Sequence, residues 1–329
     1  MERFNYLIGY AFPMAKIKYN LQFSTSVYSA LEINNKLYVG GGDWNRRTTL
    51  YTRQITKKAK GVLHILKKTK TGFKKENRII FPSMIYSIIK LSDKNIFAGC
   101  KSGKGTFNII DRDGNIIKQK DDKIGKGVYN SVFNPKKKEI ILTTRTGKLE
   151  IIDSKLKLKK RIQLSSPKTR LWSLKFDGKL IYAGDYDGFV YVVDKKVKKL
   201  DLKTFYPGDK RLTKGFGPSV WGLEVINNKI VLGTRWGDII ILDKDLGLVE
   251  KININEDITC IEKLSQKIVL IGTRYGTVFS FNLKNYKISK IMEIKPVLQK
   301  ENAIWGMSSV KNGVLICFAD GNVCKILKH

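Results

Sequence analysis

Residues 230–243 read "IVLGTRWGDIIILD". One apolar run ends in Gly233-Thr234, the chain turns at Arg235-Trp236-Gly237, and a second apolar run ends at Asp243. The same plan returns at residues 268–281, "IVLIGTRYGTVFSF", and stands earlier at 140–153, "IILTTRTGKLEIID". Aligned on the glycine that opens the second run, seven segments match, opening at Gly61, Gly105, Gly147, Gly188, Gly237, Gly276 and Gly321. Each is preceded by an apolar run that ends in small residues, such as "IYAG" or "VLGT", and that run by a third, such as "VYSALEI", "LWSLKF" or "IWGMSSV". A fourth run lies between units, as in "KRIQL", "KKLDLK" and "KISKIMEI".

The runs are short, bounded by Gly, Asn-Asn-Lys or Asp-Gly turns, and lack the i, i+3, i+4 pattern of a helix, so the chain reads as all-β. Four-stranded units repeating at about 40 to 60 residues are the pattern of propeller blades. The expectation is a single domain over 1–329: a seven-bladed β-propeller of four-stranded blades. The seventh unit stops after its third strand, while "AKIKYNLQF" near the N-terminus is a spare strand with strict alternation. Residues 16–23 are therefore expected to complete the last blade and close the ring, which removes two open edges.

The 329 residues carry 62 Lys+Arg against 29 Asp+Glu, a formal net charge of +33. A field of that sign attracts polyanions such as nucleic acid. Lysines on exposed strands also block edge-to-edge pairing, but solubility alone needs far less charge. No apolar stretch approaches the roughly 20 residues that cross a bilayer, and the N-terminal residues do not read as a secretory signal. The four cysteines lack a C-x-x-C spacing. They read as reduced thiols of a cytoplasmic protein, with Cys317 and Cys324 expected to face each other across a two-residue Asp320-Gly321 hairpin.

Strands of a four-stranded meander alternate in direction, so the second turn of each blade and the start of its first strand share one face, here the top. Arg145, Arg235 and Arg274 are expected together there, with Lys101 and Asp185 in the equivalent positions and Trp236, Tyr275 and Tyr186 next to them. In the first unit this turn is expanded into a basic top-face insertion, 43–60, carrying Arg46, Arg47 and Arg53. The second residue of each first strand is Tyr28, Tyr86, Tyr129, Trp172, Trp221, Thr259 or Trp305, aromatic in six of seven units.

"DGFVYVVD", residues 187–194, resembles the Asp-Gly-Thr-Val-x-x-Trp-Asp stretch of WD40 repeats, and the likeness of the units extends over nearly the whole chain. The tryptophan of that signature and the Gly-His dipeptide of the family are absent. The same strings resemble the Gly-x-Val-Tyr-x-Leu-Asp of quinoprotein-like propellers, but seven units favour the WD40-like arrangement. The WD40 resemblance implies that the aromatic position looks into the top mouth of the central channel, where peptides are often bound. The other reading packs these rings between blades as core, a common use of aromatic residues.

Two histidines, His64 and the terminal His329, leave little for acid–base or metal chemistry, and no Walker, Gly-x-Ser-x-Gly or His-Glu-x-x-His pattern occurs. The expectation is a non-enzymatic platform with no cofactor or metal. Its partner is RNA or a ribonucleoprotein such as the ribosome. The alternative is a protein-interaction scaffold that grips a peptide or acidic protein at the mouth. No membrane partner is expected, and the propeller is expected to be a monomer.

Overall fold

The computed structural model describes residues 17–42, 60–70, 72–101, 105–121, 127–213, 217–294 and 302–327. They form seven four-stranded antiparallel sheets. Each blade runs from an inner strand on the channel to an outer strand on the rim. The inner strands are Ser26–Ile33, Ile85–Lys90, Val128–Asn134, Leu171–Phe176, Val220–Ile226, Ile258–Lys263 and Ile304–Val310. Blades one to six end on the outer strands Phe73–Phe81, Ile116–Lys120, Leu158–Gln163, Val197–Asp201, Leu248–Asn253 and Ile288–Glu293. The outer strand of blade seven is Ile17–Gln22, which pairs antiparallel with Asn322–Leu327 and closes the ring. Leu21 and Phe23 go into the core with it.

The apolar residues gather in seven clusters, one in each cleft between consecutive blades. This explains the run of small residues at the end of each second strand. Gly184 lies so close to the next inner strand that a Cβ there would sit 2.4 Å from Val220 Cγ1, and at Gly233 it would sit 2.3 Å from Ile258 Cγ2. Middle strands are covered on both faces, and Lys36–Gly42 and Gly313–Phe318 are buried throughout. That burial removes the period-two polar alternation that a half-exposed strand shows.

Ion pairs tie clefts as well. Lys36 reaches Glu76 at 2.6 Å within blade one and Asp113 of blade two at 3.1 Å. Lys325 of blade seven reaches Glu32 of blade one at 2.5 Å, across the closing seam. Cys317 and Cys324 do not face each other. The turn is longer than two residues, so Cys317 pairs with Val323 and Cys324 with Ile316. The one-residue offset sends the two thiols to opposite faces of the sheet, Cys317 into the cleft with blade one and Cys324 into the cleft with blade six. All four cysteines are free thiols.

Candidate functional site: the channel mouth

Every inner strand carries a β-bulge at the same place, and the extra residue is the one singled out in the sequence. The register skips Tyr28, Tyr86, Tyr129, Trp172, Trp221, Thr259 and Trp305 in turn. A bulge re-aims the unpaired residue and bends its strand. Here it swings six rings out of the clefts, and none of them belongs to an interblade cluster.

The rings pack on one another instead. Tyr28 meets Tyr86 edge-on at 4.7 Å between centroids, Tyr86 meets Tyr129 at 5.4 Å, and Tyr129 meets Trp172 at 4.8 Å. Trp172 stacks on Trp221 at 5.1 Å. Trp305 lies 6.2 Å from Tyr28, 6.4 Å from Trp172 and 6.2 Å from Trp221. Neither expectation drawn from the sequence describes this fully: the rings line the channel, yet they form a plug rather than an open ring. Tyr28 and Trp221 are buried, while Tyr86, Tyr129, Trp172 and Trp305 keep part of their surface open. Thr259 stands where the seventh ring would be, and its hydroxyl donates to Ile304 O at 2.6 Å or Gly272 O at 3.0 Å. The indole N–H of Trp221 meets no acceptor among the described residues.

A channel cavity of about 300 Å³ lies along these inner strands. Leu31, Ile89 and Val132 make one side apolar. On another side the Lys175 ammonium sits 2.9 Å from Glu224 and 2.8 Å from Glu262. Burial lifts the Glu224 carboxyl above its ordinary range against the pull of Lys175.

The top rim is positioned by a repeated backbone bond. The turn residue donates its N–H to the carbonyl just ahead of the inner strand: Lys101 to Met84, Arg145 to Gly127, Tyr186 to Arg170, Arg235 to Ser219 and Arg274 to Asp257. Tyr186, not Asp185, therefore holds the arginine position in blade four. Asp185 is one residue too early for the tip. It is buried beneath the turn, where it accepts from the N–H groups of Asp187 and Phe189 and from the hydroxyls of Ser165 and Tyr191.

These residues make an arc around the mouth. Arg235 Nη1 donates to the Tyr186 hydroxyl at 2.8 Å, and its guanidinium lies 5.6 Å from the Trp221 ring centre. Arg170 lies 5.8 Å from the Tyr186 ring centre on the other side. Arg235 and Arg274 share one carboxylate, Asp257, at 3.7 Å and 3.4 Å. Arg145 and Arg170 have no carboxylate within ion-pair distance among the described residues. Lys101 is close enough to feel both. Burial first, then the fields of Arg145 and Arg170, lowers its ammonium pKa. Burial raises the phenols of Tyr28, Tyr86 and Tyr129, with the two arginines opposing the shift at Tyr86 and Tyr129.

Arg170 and Asp257 are not turn-tip residues, so the repeat of the turns does not single them out. Their signal is positional: each directly precedes an inner strand, two residues before the bulge. Trp236 faces away from the mouth. It meets Tyr206 edge-on at 5.0 Å, and the Arg211 guanidinium lies 4.0 Å from its ring centre. Tyr275 is exposed at the tip beside Arg274. Arg46, Arg47 and Arg53, with the rest of 43–59, lie outside the described residues.

Among the described residues no group of three His, Cys, Asp or Glu is placed to hold a metal. Burial pushes the Cys100 and Cys260 thiols up to about 12, far from the range of a reactive thiolate.

No family model matches the chain, and no curated protein matches it. Among solved structures, it is similar to the crystal structure of the WD40 beta propeller domain of Doa1, at 13% identity, with 97% of this chain and 98% of that chain covered and a TM-score of 0.72. At that identity the likeness concerns the fold: the chain is a WD40-like seven-bladed β-propeller.

Proposed function

We propose that this propeller is a non-enzymatic binding platform, working in the cytoplasm, whose mouth takes a polyanion, in the first place RNA or a ribonucleoprotein. The observation that carries this reading is the pair Arg145 and Arg170. Both stand close to Tyr86 and Tyr129, and no carboxylate among the described residues neutralises either one. Guanidiniums make forked contacts with phosphate, and bases stack on aromatic faces for about 1–3 kcal/mol each. The open parts of Tyr86, Tyr129, Trp172 and Trp305 offer such faces. The absence of a sequence-reading module means that phosphates supply the affinity and that sequence preference is weak. Four free thiols suit a reducing compartment.

The test is a titration of the purified protein with short single-stranded RNA, and with an acidic peptide of matched charge, across a salt series. Each neutralised phosphate adds about 0.7 to the slope of log affinity against log salt. Arg145→Glu with Arg170→Glu is expected to abolish RNA binding without loss of fold. No RNA binding at low salt, together with salt-resistant binding of the peptide, would overturn the reading in favour of a protein scaffold.

A further inference from the structure

Against the expectation of no membrane partner, we infer that the lower edge of blades two to five lies against an anionic lipid surface, as a peripheral contact independent of the mouth. Apart from Ile80, which stands near the upper end of the blade-one outer strand, the large exposed aliphatic residues are not scattered. Ile116, Ile117, Leu158, Val197, Leu248 and Val249 are between 40% and 49% exposed. All six fall at the first or second position of an outer strand, in four consecutive blades. Outer strands run from the lower face to the top, so these residues form one collar along the lower edge.

Lysines are interleaved with the collar. Lys155 and Lys157 lie in the turn that leads to Leu158, and Lys159 follows it; Lys195 and Lys196 lead to Val197, and Lys118 follows Ile117. All six are exposed, and none has a carboxylate within ion-pair distance among the described residues. The one carboxylate at the centre of the blade-three turn is already committed. Asp153 accepts from the backbone N–H groups of Lys155 and Lys157 at 2.8 Å and 2.9 Å. Leu156 between them is buried in the cleft with blade two, which anchors the turn and leaves both ammoniums outward.

The combination selects the partner. A nucleic-acid backbone would account for the lysines but leaves the aliphatic side chains with nothing to do, and the collar has none of the aromatic faces that bases use. A bilayer interface uses both: apolar side chains enter the boundary beneath the headgroups, and diffuse ammonium charge is attracted to anionic headgroups. No helix among the described residues is long and apolar enough to span a membrane, so the contact is one that rests on the surface.

The experiment is co-sedimentation of the full chain with vesicles of phosphatidylcholine alone and of phosphatidylcholine with about one-third phosphatidylserine. Binding is expected only to the anionic vesicles and to weaken as salt rises. Lys155→Glu with Lys157→Glu should lower the partition about tenfold or more. Leu158→Asp with Val197→Asp should lower it comparably, whereas Leu158→Trp with Val197→Trp should raise it, because tryptophan favours the interface. Arg145→Glu with Arg170→Glu at the mouth should leave it unchanged, which separates this surface from the RNA site. The inference is overturned if anionic vesicles are not bound, or if the aspartate and tryptophan variants partition as the unmodified protein does. It is also overturned if duplex RNA, and not the vesicle, is what Lys155 and Lys157 retain.

Discussion

The closing seam offers the sharpest test of how the ring is held. Lys325 is buried to 2% of its side-chain surface, and its ammonium lies 2.5 Å from Glu32, itself 13% exposed. One residue belongs to the last blade and the other to the first, so the pair exists only when the ring is closed. A buried pair gains little over an apolar replacement, but removing one partner strands a charge and costs about 3–5 kcal/mol. Glu32→Gln is therefore expected to destabilise the protein by that amount, out of a total of about 5–15 kcal/mol. In a domain of this size about 2 °C is lost per kcal/mol, so the melting temperature should fall by roughly 6–10 °C. Lys325→Met combined with Glu32→Leu removes both charges and fills the seam. It should recover to within about 1 kcal/mol of the unmodified protein, or exceed it. The assay is a double-mutant cycle by denaturant unfolding, with thermal melts alongside. A Glu32→Gln loss below about 1 kcal/mol would show that water reaches the ammonium and that the seam is open. A double variant as damaged as the single one would refute the charge argument and assign the effect to packing.

Four further outcomes follow from the same geometry. Deleting residues 1–24 removes the strand paired with Asn322–Leu327 and uncovers an edge, so gel filtration should show aggregation; an intact monomer with an unchanged melt would mean the ring does not need the strand. Asp185→Asn puts an amide N–H₂, which cannot accept, among four donors, and unfolding should show a loss of about 2–4 kcal/mol. Asp257→Asn removes the carboxylate that Arg235 and Arg274 share and should raise RNA affinity and steepen its salt dependence through Arg235, whereas unchanged titrations would exclude Arg235 from the contact. Burial raises the phenols of Tyr28, Tyr86 and Tyr129; above about pH 10 the unfolded chain sheds protons that the folded chain keeps, so stability should fall as pH rises. Tyr86→Phe should flatten that alkaline limb in a pH series of unfolding curves, and an identical limb would assign the loss to other groups.

The repeat made the architecture legible because each blade spends its apolar residues alike. Two buried middle strands, a glycine after the turn and a lysine-rich outer strand leave a pattern even where the WD40 signature residues are missing. Gly147, Gly188, Gly237, Gly276 and Gly321 all adopt positive φ, so the residue used for alignment is the one the turn requires. Local offsets were harder to read. A turn longer by a residue shifts every pair beyond it, which is why Cys317 and Cys324 miss each other; the blade-four turn is of ordinary length, and Tyr186 stands two residues before Gly188 just as Arg235 stands two before Gly237. The bulge was hidden for another reason: one-dimensional alternation cannot distinguish a core ring from a ring lifted out by an extra residue. The aromatic position was visible, but its packing into a plug was not, because that depends on six strands converging on one axis. Arg170 and Asp257 do hold a fixed place in the unit, two residues before the bulge, but only the backbone bond from the turn shows that this place belongs to the rim.

The excess of positive charge divides by position into parts with different causes. Each of the seven sheets ends in an outer strand whose free edge could pair with another chain. Lysines 120, 160, 198 and 199 stand on three such strands, where an ammonium blocks docking at little cost to the fold. Edge protection cannot explain Arg145 and Arg170, which lie on turns at the other end of the blades, or Lys155 and Lys157, which lie below the strand they precede. Mutual repulsion of neighbouring cations destabilises a compact state, and burial together with the fields of Arg145 and Arg170 lowers the ammonium pKa of part-buried Lys101. Binding an anion beside it should relieve the repulsion and raise the Lys101 pKa. An ammonium titration followed by NMR with ¹⁵N-lysine, with and without a short RNA, would detect that rise. An unchanged Lys101 titration in the presence of bound RNA would place the phosphates elsewhere and leave the arginine pair without its assigned role.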